Sequence, residues 1–405
     1  MLNNIMTVIR SFLSFEDKSS SILFLSLCCL LFFIPLSTSI SVIVGFFVIA
    51  IWIISGIAIR NIIDVLKQRW MIPVFVFIFL PWVGLIWTSD IIKGLDFATK
   101  SYYWLYTFVV ASIFMTKENL KILINAFLTG LAVLSILSLL HFLDIIPKLL
   151  WIPTVFNKKS ITSSLLLVFG MLLLSFYFKE ATGKKEKIFI LSMFFLFFIA
   201  LLIGTGRAGY LAFVLLCPIM IYNFFGKNFV KIIFVNLIMI LLLFLSPIVQ
   251  NRVYQAYNDI VQYQERNPNT SVGLRLHMWQ GAFKIFLENP IIGVGTGGYQ
   301  LAMKKYENPS LAPEFHNIDD PHNSYLYMSV SFGILGLFSL FWLFGILLKN
   351  GFRNRENIGG FAVLAYTLVL IIGSLTSTQI LSLATGFLLA ILSGFQKHLK
   401  IEAER

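Results

Sequence analysis

The chain has 405 residues, of which 58% are hydrophobic and only 12% are charged, and it carries a net charge of +12. Soluble globular proteins contain about 25% charged residues, so this composition excludes an ordinary soluble enzyme and predicts an all-α protein with many membrane spans. The basic residues lie in short loops between apolar runs, which is typical of membrane topology and argues against nucleic-acid binding.

Apolar runs of about 18 residues recur along the chain, as expected for membrane-spanning helices. The first run follows Arg10 and Lys18 and lacks a small-residue cleavage site, which favours a retained helix over a signal peptide. About twelve spans are predicted in chain order: 19–36, 40–58, 71–88, 100–115, 122–143, 161–178, 188–204, 208–225, 232–248, 322–348, 358–375 and 379–396.

The distribution of Lys and Arg predicts the orientation of these spans. If the N-terminus lies in the cytoplasm, most basic residues outside the long segment 249–321 fall in cytoplasmic loops, as the positive-inside rule requires. Both termini are then cytoplasmic and the long segment lies outside. The expected organisation is a transmembrane bundle at 1–248, an outer loop with amphipathic helices at 249–321, and C-terminal spans with a cytoplasmic tail at 322–405.

Arg207 stands between two apolar runs in the sequence IGTGRAGYLAFV. The preceding Gly204-Thr205-Gly206 predicts a tight reversal of the chain between two spans. Two interpretations of the arginine remain open. It is either a boundary residue whose side chain extends to the interface, or an anion clamp, since guanidinium presents a planar fork of donors that matches phosphate.

A second arginine, Arg275, lies near the start of a predicted amphipathic helix that begins at Leu274 and suits the outer interface. A cation in the first turn gains nothing from the helix dipole and needs an anion. A pair with Glu265 or Glu288 would satisfy it, and so would a bound phosphate.

The sequence HNIDDPHN places Asp319, Asp320 and His322 directly before a long apolar run. Aspartates before a proline are typical of a turn, although His and Asp also suit several divalent metals. No recognised metal-ligand spacing is present, so no metal site is predicted. His322 is either a boundary histidine or a general base that can take up a proton near neutral pH.

Three stretches resemble the bacterial O-antigen ligases, within the superfamily that also contains the O-antigen polymerases. HNSYLYMSVSFGILG is similar to the family pattern in which His and Asn are followed after nine residues by Gly and then by a second Gly. RAGYL resembles the family's Arg followed four positions later by Leu. The outer segment resembles the ligase loop at Arg252, Asn258, Asp259, Gly273, Arg275 and Met278.

The resemblance implies a GT-C-like glycosyltransferase of the inner membrane with a periplasmic active site and no cofactor or metal. The donor would be a polysaccharide on undecaprenyl diphosphate, and the acceptor a sugar hydroxyl of lipid A–core. His322 would be the catalytic base, and Arg207, Arg275 and Arg252 would bind the donor diphosphate. We hypothesise that Asp319 and Asp320 position His322 or the acceptor, with Asn323 as a further supporting residue.

Several alternatives stay open, and the family pattern is not matched throughout. An O-antigen polymerase would use nearly the same site, whereas a lipid-linked oligosaccharide transporter would need charged residues along a path through the bundle. A non-catalytic assembly scaffold would need neither the histidine nor the arginines. Some ligases carry an acidic residue late in the chain, whereas here no Asp or Glu occurs between Glu356 and Glu402.

Overall fold

The computed structural model describes residues 18–146, 155, 160–265, 267–312 and 318–399. All regular structure in these residues is helical, which confirms the predicted all-α class. Arg10 and His316, the first residue of the stretch HNIDDPHN, lie outside the described residues.

Seventeen α-helices and three short 3-10 segments follow one another along the described part of the chain. The helices are α1 Lys18–Phe33, α2 Thr38–Ile54, α3 Ile57–Leu66, α4 Met71–Val83, α5 Ile91–Thr99, α6 Leu105–Ser112, α7 Lys117–Phe142, α8 Ser160–Glu180, α9 Lys184–Ile203, α10 Arg207–Phe225, α11 Phe229–Leu245, α12 Pro247–Gln264, α13 Ser271–Glu288, α14 Tyr299–Met303, α15 Ser324–Arg353, α16 Ile358–Gly373 and α17 Leu383–Leu399.

Five of these helices, α7, α8, α9, α10 and α15, are long and apolar enough to cross a membrane. Two bent pairs, α2 with α3 and α11 with α12, raise the number to as many as seven. The predicted span 100–115 is not one helix: a 3-10 segment, Lys100–Trp104, precedes the short α6. Together these helices form a multi-pass membrane protein.

Helix α8 lies at the centre of the bundle. Every side chain from Ser163 to Phe176 is buried, and the helix packs against α9, α10 and α16. An apolar helix enclosed on all sides has no polar face to orient it, so its position depends on its neighbours.

The bundle has two distinct ends. The starts of α8 and α10 meet where Gly206 approaches Ser164, and the start of α15 meets the end of α16, since Ser324 N–H donates to the Ser374 carbonyl at 2.9 Å. At the opposite end, Lys179 pairs with Glu356 at 2.6 Å. Helix α8 therefore runs from one end of the bundle to the other.

Helix α15 is broken at Gly333, whose φ of 62° and ψ of −145° are non-helical. A loop that follows α13 enters this break: Val294 N–H donates to the Val330 carbonyl at 2.9 Å, and Ile334 N–H donates to the Pro290 carbonyl at 2.8 Å. The break leaves backbone N–H and C=O groups without partners in the helix, and the loop supplies hydrogen-bond partners for them.

Candidate active site

Arg207 is the first residue of α10, at the end of the bundle where α8 begins. Gly204 and Gly206 both have negative φ, so the predicted reversal does not depend on glycine's backbone freedom. Gly206 is needed for space instead, because a Cβ there would collide with Ser160 and Ser164 of α8. The close approach of α8 and α10 sets the position of Arg207.

Arg252 and Arg275 come to the same place from two other helices. Arg252 lies on α12, which begins with Pro247 and turns 81° away from α11. Helix α13 begins at Ser271, so Arg275 lies one turn further into the helix than the sequence predicted. The side of α13 that carries the buried Met278, Ala282 and Ile285 packs on α15.

The three arginines line one cavity of about 350 Å³. Its remaining lining comes from the starts of α8, α10 and α13, from α12, and from the loop after α16: Ser160, Ile161, Thr205, Ala208, Ala256, Ser271, Val272, Leu276, Trp279 and Thr376. The three guanidiniums converge although 68 residues separate the outer two along the sequence, from Arg207 to Arg275.

Asp259 is the acidic partner of this arginine group. Its Oδ2 lies 3.7 Å from Arg207 Nη1, and the same oxygen accepts a hydrogen bond of 3.2 Å from Val272 N–H at the start of α13. Glu288, one of the two partners that the sequence suggested for Arg275, pairs instead with Lys305 and Tyr306.

The arginine group is short of negative charge. Burial lowers the pKa of Arg275, the nearby Arg207 lowers it further, and Asp259 opposes both effects. Arg207 Nη1 and Arg275 Nε are buried without a hydrogen-bond acceptor among the described residues. Buried donors without partners cost free energy, so this cavity favours an anion that can accept hydrogen bonds.

His322 lies directly before α15 with a φ of 49°, in the left-handed region that few residues other than glycine adopt. Asp320 holds this turn: its Oδ1 accepts a 2.8 Å hydrogen bond from His322 N–H and lies 3.4 Å from His322 Nδ1. Thr378, in the loop after α16, donates its hydroxyl proton to the same carboxylate. The imidazole is half exposed, so it is accessible to a substrate.

Asp320 is partly enclosed, and its environment favours the charged form. Burial raises the pKa of this carboxyl, but the hydrogen bonds from His322 and Thr378 and the charge of His322 together hold it below its usual value. Asp320 is therefore a carboxylate at neutral pH, with one oxygen aimed at the imidazole.

His322 is not among the described residues that line the cavity, but it is connected to them. Trp279, which lines the cavity, donates its indole N–H to the carbonyl of Pro321 at 3.0 Å. Thr376 lines the cavity two residues before Thr378, the partner of Asp320. The histidine turn thus borders the arginine cavity.

Asn323 and Asp319 occupy different structural positions from Asp320. Asn323 is the N-cap of α15: its side-chain oxygen accepts from Tyr325 N–H at 2.9 Å and Leu326 N–H at 3.1 Å, and its amide donates to the Leu375 carbonyl. Asp319 turns away from His322 and pairs with Lys93 of α5. Of Asp319, Asp320 and Asn323, only Asp320 pairs with the imidazole.

Sequence reasoning missed four residues of this region as members of the site: Asp259, Trp279, Thr376 and Thr378. Asp259 had a signal, since it belongs to the loop that resembles the ligases. Thr378 lies 58 residues from Asp320 and has none, because only the packing of α16 against α15 brings them together. No group of three potential metal ligands occurs in the residues that the structure describes.

Comparison with known proteins gives three matches. Residues 192–341 match the family model described as O-antigen ligase, a range that contains the three arginines, Asp259 and His322. An uncharacterized protein of Haemophilus influenzae is 30% identical over 148 residues, which cover 34% of this chain and 37% of that protein. The O-antigen ligase of Escherichia coli K12 is 28% identical over 166 residues, 37% of this chain and 38% of that protein. The chain thus spans little more than a third of the length of each of these two relatives.

Proposed function

We propose that this protein, which belongs to the O-antigen ligase superfamily, transfers a glycan from undecaprenyl diphosphate to a sugar hydroxyl of lipid A–core. The observation that carries the proposal is the cavity lined by Arg207, Arg252 and Arg275, beside a half-exposed histidine. No nucleotide sugar is available outside the cytoplasmic membrane, so a reaction there needs a donor that is already activated on a lipid.

The arginine cavity is suited to a diphosphate leaving group. As the bond between the anomeric carbon and the phosphate oxygen breaks, negative charge develops on that oxygen. Guanidiniums fixed in a partly dehydrated site stabilise this charge without rearranging, and their fork of donors matches phosphate oxygens. Arg207 Nη1 and Arg275 Nε have no hydrogen-bond acceptor among the described residues, so both can donate to a phosphate oxygen.

His322 acts as the base. Its imidazole takes the proton of the acceptor hydroxyl while that oxygen attacks the anomeric carbon, and the bonding electrons of the broken C–O bond leave with undecaprenyl diphosphate. One displacement inverts the configuration at that carbon. Asp320 orients the ring and stabilises the imidazolium that forms.

We place the site on the periplasmic side of the inner membrane, with the chain crossing about twelve times in a GT-C-like bundle. The shorter helices α1, α4, α6, α16 and α17 join the longer ones as spans in this arrangement. Support comes from the positions of charged residues: Lys117, Lys121 and Lys179 lie at the end of the bundle opposite the arginine cavity, as the positive-inside rule predicts for the cytoplasmic face.

The proposal is tested by His322→Ala and Arg275→Ala in a strain that lacks its own ligase. Lipopolysaccharide on gels should show uncapped lipid A–core, and undecaprenyl-linked polymer of full length should accumulate. Removing a general base typically lowers the rate by about 10²- to 10⁴-fold, so capping by His322→Ala should fall at least a hundredfold.

Arg355→Ala is the matched control, because Arg355 is an exposed arginine beside Glu356 at the opposite end of the bundle. It should cap normally. Normal capping by His322→Ala would refute the role of the base. If the two variants made shorter polymer but still capped lipid A–core, the protein would be an O-antigen polymerase.

A further inference from the structure

We infer that Asp259 sets the charge of the arginine cavity so that it binds the glycan-bearing donor in preference to the released lipid diphosphate. This inference rests on the proposed function and assigns a specificity-determining role to a residue outside the cavity lining. Asp259 is mostly enclosed, with 16% of its side chain exposed, and lies three residues after Ala256 on the same helix α12.

Asp259 is placed to act on Arg207 and Arg275 through charge. It pairs with Arg207 at 3.7 Å and attracts Arg275 electrostatically. Arg252 lies on the same helix α12 and is close enough to Arg207 to repel it. The group therefore holds three positive charges and one negative charge, and two positive charges remain for a ligand.

The distance between Asp259 and Arg207 is longer than that of a hydrogen bond between a guanidinium and a bound phosphate. At 3.7 Å the two atoms attract each other beyond hydrogen-bond distance, and Arg207 Nη1 has no hydrogen-bond acceptor in the part of the chain that the structure describes. Asp259 is instead fixed by Val272 N–H, which holds the carboxylate at the start of α13. The carboxylate thus lowers the positive charge of the cavity while leaving its donors available to phosphate.

The substrate and the product differ in charge. A diphosphate esterified at both ends, as in the donor, carries about two negative charges, whereas the released lipid diphosphate has a free terminal phosphate and carries about three at neutral pH. With Asp259 present, the net charge of the cavity complements the donor. Without it, the cavity would complement the product and retain it.

The test is Asp259→Asn, because the amide oxygen can still accept from Val272 N–H while the negative charge is lost. Binding is measured on the purified full-length protein in detergent with two probes of equal chain length, a polyprenyl diphosphate and the same diphosphate capped by a sugar. Loss of one charge interaction of this kind changes affinity by about fivefold. The ratio of product affinity to donor affinity should therefore rise about fivefold, and turnover should show stronger product inhibition.

Glu265→Gln is the matched control, since Glu265 is an exposed carboxylate at the end of the same helix. It should leave the ratio of the two affinities unchanged. An unchanged or lower ratio in Asp259→Asn would overturn the role of Asp259 alone. If wild-type protein bound neither probe, the proposed diphosphate site itself would be wrong, so the two failures can be told apart.

Discussion

At the scale of single residues, the histidine turn shows how neighbouring carboxylates take separate roles. Asp319 and Asp320 were equivalent candidates in the sequence, but Asp320 contacts His322 and Thr378, whereas Asp319 pairs with Lys93. The difference arises because successive residues of a turn point in different directions, and the neighbouring helices supply a partner for each.

We expect Asp320→Asn to lower kcat about tenfold or more, with little change in KM for donor or acceptor, because in the proposed mechanism the carboxylate orients the base and does not bind substrate. Steady-state kinetics on purified protein measure this split. Asp319→Asn is the control and should change kcat much less. An equal loss in both variants, or a rise in KM without a fall in kcat, would contradict a positioning role for Asp320.

The difference in stability between wild type and Asp320→Asn should depend on pH. Because the folded protein holds the pKa of Asp320 below its usual value, this carboxylate stabilises the fold above the ordinary aspartate pKa of about 3.9. The contribution is lost as pH falls through the lower folded pKa. Thermal unfolding should therefore separate wild type from Asp320→Asn at neutral pH and bring them together in strong acid.

At the scale of elements, the broken helix α15 explains a spacing in the histidine motif. Nine residues separate Asn323, the N-cap, from Gly333, where the helix breaks and the loop from α13 enters. Gly336, one turn later, lies against the Met328 carbonyl with no room for a Cβ. The break joins α15 to α13, the helix that carries Arg275, and so connects the histidine and the arginine in one framework.

Gly333→Ala should destabilise the protein by about 1–3 kcal/mol or more, since its φ and ψ suit glycine alone. A Cβ there would also collide with the backbone of Ile291. Gly345→Ala in the same helix is the control, because a Cβ at Gly345 meets open space. Thermal unfolding in detergent should show a lower Tm for the first variant only. Equal Tm values would mean that the break is not required.

At the scale of the whole molecule, the two ends of the bundle differ in chemistry. One end holds the arginine cavity and the histidine turn, and the other holds the pair Lys179–Glu356 and the start of α9 with Lys184 and Lys185. This asymmetry predicts which end faces the cytoplasm.

The orientation can be measured by cysteine labelling in a variant whose own cysteines, Cys28, Cys29 and Cys217, have been replaced. Glu265→Cys, at the end of α12, the helix that carries Arg252, should react with a membrane-impermeant maleimide in spheroplasts. Lys185→Cys, at the other end, should react only after the membrane is opened. The reverse pattern would place the arginine cavity in the cytoplasm and exclude a periplasmic reaction.

The sequence by itself determined the all-helical membrane class, because apolar runs are local features. Arg207, Arg275 and His322 could be chosen as candidates from their positions in the chain, whereas Arg252 was a candidate through the resemblance to the ligase loop. Their convergence, the counter-charge of Asp259 and the contact between Thr378 and Asp320 depend on helices far apart in sequence. Such contacts depend on how the helices pack against one another. A helix that is apolar on all sides has no polar face to orient it, so its position is determined only together with the positions of its neighbours. The tertiary structure therefore decided which charges meet, and at what distance.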